Sequence, residues 1–121
     1  MQPRSQEFLS RPAAATAAAL FRDVLRRFGS ARLRVFGLSM WPALRPGDVL
    51  HVQSVSPGEL ATGDVILFVR HGALFAHRLI GREGQVLRTR GDAHWRRDPL
   101  LRPSQVLGRV EMVSRGEVAG V

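Results

Sequence analysis

Residues 35–50 read VFGLSMWPALRPGDVL, an apolar run interrupted by one hydroxyl, Ser39, with Gly37 before it and Pro42 and Pro46-Gly47-Asp48 after it. Ser39 is either a turn residue or the residue that the turn exists to present. A serine becomes a nucleophile only with a base within hydrogen-bond reach and a donor aimed at the developing oxyanion. Four histidines could be that base: His51, His71, His77 and His94. His71 falls in a His-Gly pair that reads as a solvated hairpin turn, His51 lies on a strand just after the serine loop, and His94 lies in a polar loop. His77 differs, because it follows the apolar GALFA and heads HRLIG near the middle of a strand. It must face core or cleft, and on its own such a histidine is as a rule a satisfied structural residue.

Two aspartates in TRGDAHWRRDP, Asp92 and Asp98, complete the set. Each by itself reads as a turn former. A buried aspartate is nevertheless what a serine–histidine pair needs to fix the imidazole tautomer and stabilise its charged form. Ser39, His77 and Asp98 are chemically sufficient for a triad, and whether they meet in space is a matter of the fold.

The composition narrows the chemistry further. All 18 basic residues are arginine, so no lysine can act as a general base. There is no cysteine, which excludes thiol nucleophiles, disulfides and thiolate metal sites. No cofactor or metal is implied. The net charge of +8 favours acidic partners: an anionic membrane surface, an acidic peptide or nucleic acid. The arginines are scattered without interleaved aromatics, so nucleic acid is not expected as a partner.

The elements that must position these residues follow from periodicity. At 121 residues the chain reads as a single domain over residues 11–121, with a flexible polar lead-in at 1–10. A helix is expected over about 12–28, with Leu20, Phe21, Val24, Leu25 and Phe28 on its apolar face. Ser10 could cap it, Pro12 stands in its first turn and Gly29 ends it. Packing on its own domain is the expected use of this helix, and its arginines also suit peripheral contact with an anionic membrane. Short apolar runs follow at 32–37, 48–55, 64–81, 85–91 and 105–115, with 64–81 reading as a hairpin that turns at His71-Gly72. About six strands divided by glycine and proline turns predict a mainly β fold, a folded-over antiparallel sheet or small barrel with one N-terminal helix. No apolar run is long enough to span a bilayer, and the N-terminus lacks a secretory pattern, so the expected location is the cytoplasm.

GLSMWPALRPGD resembles the nucleophile box of the signal peptidase I family and its LexA-like relatives. TGDVILF looks like the second box, AHRLIG is similar to the base-bearing box, and RTRGDAHWRRD resembles the final one. Four boxes in the family's order cover Gly37 to Asp98, about half of the chain. The base box holds His77 followed by Arg78, as in the serine–histidine branch of the endoplasmic reticulum and archaea, rather than the lysine of the common bacterial enzymes.

This resemblance implies the folded-over sheet of that clan and a serine endopeptidase needing no cofactor. Ser39 would be the nucleophile, His77 the general base and Asp98 its orienter, with Asp92 as a supporting member of the catalytic set. Gly37, Leu38 and Met40 would shape the substrate site, with Gly37 allowing the turn and Met40 anchoring the loop. The Ser39 backbone N–H is the natural oxyanion donor, and Asp48 reads as structural. The substrate would be a peptide or protein bound as an added strand and cut after small residues, in an Ala-x-Ala-like pattern, as in trimming the leader of a specialised cytoplasmic substrate. Two alternatives are a non-catalytic peptide-binding module on the same fold and a self-cleaving regulator of the LexA kind. For the latter, the Ala119-Gly120 pair matches the cleavage dipeptide, a match read as coincidence.

Overall fold

The computed structural model describes residues 17–116. The lead-in, Ser10, Pro12 and the Ala119-Gly120 pair lie outside them. A helix, α1, occupies residues 17–28, and six strands follow: β1 (Ser30–Arg34), β2 (Val49–Gln53), β3 (Val65–Arg70), β4 (Ala73–Glu83), β5 (Val86–Arg90) and β6 (Val106–Ser114). They form one sheet in the order β1-β2-β6-β3-β4-β5, with every neighbouring pair antiparallel. The outermost strands, β1 and β5, do not pair with each other, so the mainly β fold is an open sheet with one helix rather than a closed barrel.

The sequence pattern explains why the sheet is built around β3. VILFV is apolar without alternation, which suits a strand covered on both faces. Leu67 joins one apolar cluster with Leu25, Met40, Leu44, Leu50 and Val52, while Ile66 and Phe68 join a second with Leu60, Leu79, Leu87 and Leu101. The β3–β4 hairpin turns at His71-Gly72 as the sequence predicts, with His71 exposed at φ +52°.

Helix α1 ends where a residue in the left-handed region is needed. Gly29 has φ +77°, and its N–H donates to the Leu25 carbonyl at 2.8 Å, closing the last turn. The packed face of α1 differs from the expected one. Ala18 and Leu25 are buried and Phe21 packs beside them, but Leu20, Val24 and Phe28 face outward, with Phe28 73% exposed. The apolar residues form two stripes, and only the one through Ala18, Phe21 and Leu25 meets the sheet. Leu25 sits in the same cluster as Met40 and Leu44, so α1 packs against the buried anchors of the serine-bearing loop. Among the described residues no helix is long and apolar enough to cross a membrane.

Candidate active site

Ser39 lies on the loop between β1 and β2. Gly37 takes φ +85°, a conformation that favours glycine and turns the chain sharply before the serine. After it, the Trp41 N–H donates to Leu38 O at 3.1 Å and the Leu44 N–H to Met40 O at 2.9 Å, a compact turn anchored by the buried Met40 and Leu44. The loop closes at Asp48, which is buried and receives the Arg45 N–H at 2.9 Å and two hydrogen bonds from Arg115 at 2.8 and 2.9 Å. These hydrogen bonds from Arg115 hold the Asp48 carboxyl down at a pKa of about 2. Asp48 is thus a structural clasp.

His77 comes from β4 and is 5% exposed. Its ring packs edge-on against Phe68 and Phe75, with centroids 5.9 Å away in both cases. Nε2 lies 3.1 Å from Ser39 Oγ, and Nδ1 lies 2.6 Å from Asp98 Oδ2. A carboxylate can only accept, so Nδ1 carries the proton and donates to Asp98, which leaves Nε2 to accept from the Ser39 hydroxyl. The three residues are brought together from the β1–β2 loop, from β4 and from the segment after β5.

Asp98 is fixed by a residue that sequence reasoning missed. Thr89, fully buried on β5, donates its hydroxyl to Asp98 Oδ2 at 2.6 Å, and its carbonyl accepts the Asp98 N–H at 2.9 Å. The sequence signal was a threonine alternating with Leu87 on a half-buried strand, which is commonplace. Gly91 was passed over too. A Cβ there would stand 2.7 Å from the Ser39 carbonyl oxygen and 3.2 Å from His77 Nε2, so only glycine lets this loop approach the pair.

The two aspartates separate clearly. Asp92 does not bond His77. It takes two hydrogen bonds from Arg78 at 2.7 and 2.9 Å, and this guanidinium holds its carboxyl below the usual range. The Asp92 N–H meets Met40 Sδ at 3.3 Å and the Ala93 N–H donates to Ser39 O at 2.9 Å, so this loop is stapled directly to the serine loop. Asp92 supports the site's walls, as a residue that holds the loop.

The other candidates fall outside the constellation. His51, on β2, lies against Ser114 Oγ of β6 at 2.8 Å. His94 is exposed but touches the site, its ring edge-on to His77 at 5.6 Å. Leu38 is 61% exposed and does not line the adjoining cavity, whereas Gly37 and Met40 do. That cavity, about 480 Å³, opens beside Ser39 and His77 between residues 33–37 and residues 73–77. Among the described residues, no backbone carbonyl accepts from the Ser39 N–H, which leaves it available to an oxyanion. No group of three His, Asp or Glu among them is placed to hold a metal ion.

No protein-family model matches this sequence, and no curated protein matches it at a significant level.

Proposed function

We propose that this chain is a serine endopeptidase that hydrolyses an extended peptide with Ser39, His77 and Asp98. One observation carries this reading: a single buried imidazole bridges a loop serine at 3.1 Å and a carboxylate at 2.6 Å beside an open cavity. Ser39 Oγ attacks the scissile carbonyl carbon while its proton passes to His77 Nε2, and Asp98 stabilises the imidazolium that results. The carbonyl oxygen, now negative, takes the Ser39 N–H. As the C–N bond breaks, His77 returns the proton to the departing amine, leaving an acyl group on Ser39. Water then attacks that ester with His77 as base, the C–Oγ bond breaks and the serine recovers its proton. The balance is one peptide bond and one water consumed, one carboxyl and one amine released.

The same loop arrangement suits an added strand. Residues 73–77 of β4 pair only with β3, because pairing with β5 begins at Arg78. Their outer backbone groups are free to hydrogen-bond a peptide lying beside the cavity.

The test is cleavage of a diverse peptide mixture followed by mass spectrometry. Ser39→Ala and His77→Ala should each lower kcat/KM by about 10⁴-fold or more. His71→Ala, on an exposed turn 6 residues away in the chain, should change it little. Cuts that persist in Ser39→Ala would sink the proposal, and a peptide bound but never cut by the wild type would favour a binding module.

A further inference from the structure

We infer that the residue preceding the scissile bond is a bulky aliphatic or aromatic one, an inference that rests on the peptidase reading above and departs from the small-residue preference implied by the family resemblance. The cavity that Ser39 and His77 share holds about 480 Å³. This is the scale of pockets that enclose whole small ligands, about 300–1,000 Å³. An alanine methyl, no larger than a water molecule's share of about 30 Å³, would leave it almost empty.

The lining says what fills it. Leu44, Leu50 and Leu67, all buried, form its base, and Leu33, Val35 and Leu74 stand around it. Ala73 and Ala76 on β4 supply only methyl groups, and these short side chains leave the space open. Among the described residues of the lining, Arg34 is the one fully charged side chain, and it donates to the Gly47 carbonyl at 3.1 Å. No carboxylate stands among the described residues of the wall, so a lysine or arginine side chain would be desolvated there with none of them as a partner. An apolar side chain loses nothing and gains burial in proportion to its size. A peptide laid along the free edge of residues 73–77 sends every second side chain to the cavity's face, and the one whose carbonyl lies at Ser39 enters it at the Ser39–His77 end.

The experiment uses the full chain and N-acyl aminoalkyl phosphonate diphenyl esters bearing a methyl, isobutyl or benzyl group, with a side-chain-free alkyl fluorophosphonate as a reference. In the esters, Ser39 Oγ bonds to phosphorus, phenoxide leaves and His77 takes the serine proton. Labelling of Ser39 is followed by intact mass. The isobutyl and benzyl probes should label at least about tenfold faster than the methyl probe. Ala76→Leu, which narrows the cavity, should lower that ratio by about tenfold. If the variant does not fold, the wild-type series decides alone. A methyl probe equal to or faster than the larger ones overturns the size inference while leaving the nucleophile intact. Absence of Ser39 labelling by every probe, the fluorophosphonate included, overturns the peptidase reading itself and this inference with it.

Discussion

At the scale of single residues, the contact between Thr89 and Asp98 orients the Asp98 and His77 side chains without touching Ser39. Asp98 Oδ2 accepts from both His77 Nδ1 and Thr89 Oγ1 at 2.6 Å, so the threonine sets where the carboxylate sits and thereby how the imidazole is turned. A buried hydrogen bond to a charged group contributes about 1.5–3 kcal/mol. Thr89→Val keeps the shape and removes the donor, and should lower kcat by roughly tenfold to a hundredfold with KM nearly unchanged. Asp98→Asn should lower kcat far more, by about 10³–10⁴-fold, because the amide can present its N–H to Nδ1 and favour the wrong tautomer. Both are read by steady-state kinetics on a cleaved peptide. A Thr89→Val loss equal to that of Asp98→Asn would mean that the hydroxyl does more than position. Of the six residues that the sequence singled out around the serine box and the aspartate loop, the structure separates Asp92 and Leu38 from the rest. Leu38 adjoins Ser39 and Asp92 stands six residues before Asp98, and proximity along the chain carries no information about direction in space.

Among the elements, α1 matters because it packs against the serine loop's buried anchors. Leu25 packs in one cluster with Met40 and Leu44, the two buried anchors of that loop. Leu25→Ala should cost about 2–5 kcal/mol of stability. Phe28→Ser, on the outward stripe at 73% exposure, should change it by less than about 0.5 kcal/mol. Denaturant unfolding of both variants checks this, and a larger loss for Phe28→Ser would show that the outward stripe is covered in solution. The helix itself was legible from its 3.6-residue period and from Gly29. Its buried side was not, since Leu20, Val24 and Phe28 form one acceptable stripe and Ala18, Phe21 and Leu25 another. The two stripes are nearly matched in bulk, Ala18 being the one small residue of the buried stripe, so nothing local chose between them. The β3–β4 hairpin was fully legible, since His71-Gly72 can take the positive φ values that a tight turn demands.

For the whole molecule, the clasp between Asp48 and Arg115 joins the loop ahead of β2 to the segment after β6. Arg115 lowers the Asp48 pKa from 3.8 to about 2. A carboxyl with a depressed folded-state pKa contributes stability that is fully present above its unfolded value and is lost as pH falls through the folded one. The contribution therefore declines between about pH 4 and pH 2. Asp48→Asn should be less stable than the wild type at neutral pH, with the gap closing over that acid window. Urea midpoints measured from pH 7 to pH 2 read this directly, and a gap that stays constant with pH would rule out the ion pair as its source. Arg115 is half exposed, so added salt should narrow the neutral-pH gap as well.

The residue types, the strand and turn order, and the presence of a serine, a histidine and aspartates able to act together follow from the sequence by itself, because periodicity, glycine punctuation and side-chain chemistry are local properties. Three things were decided only by tertiary structure. The sheet stays open because β1 and β5 never meet, which depends on the summed twist and bulges of six strands. Asp98 rather than Asp92 reaches His77 because the Thr89 carbonyl draws its backbone in while Arg78 holds Asp92 away. The cavity beside Ser39 exists because residues 33–37 and 73–77, forty residues apart in the chain, come to flank one space with alanines on one side. Volume between distant segments is a property of their separation in space, and no local pattern encodes it.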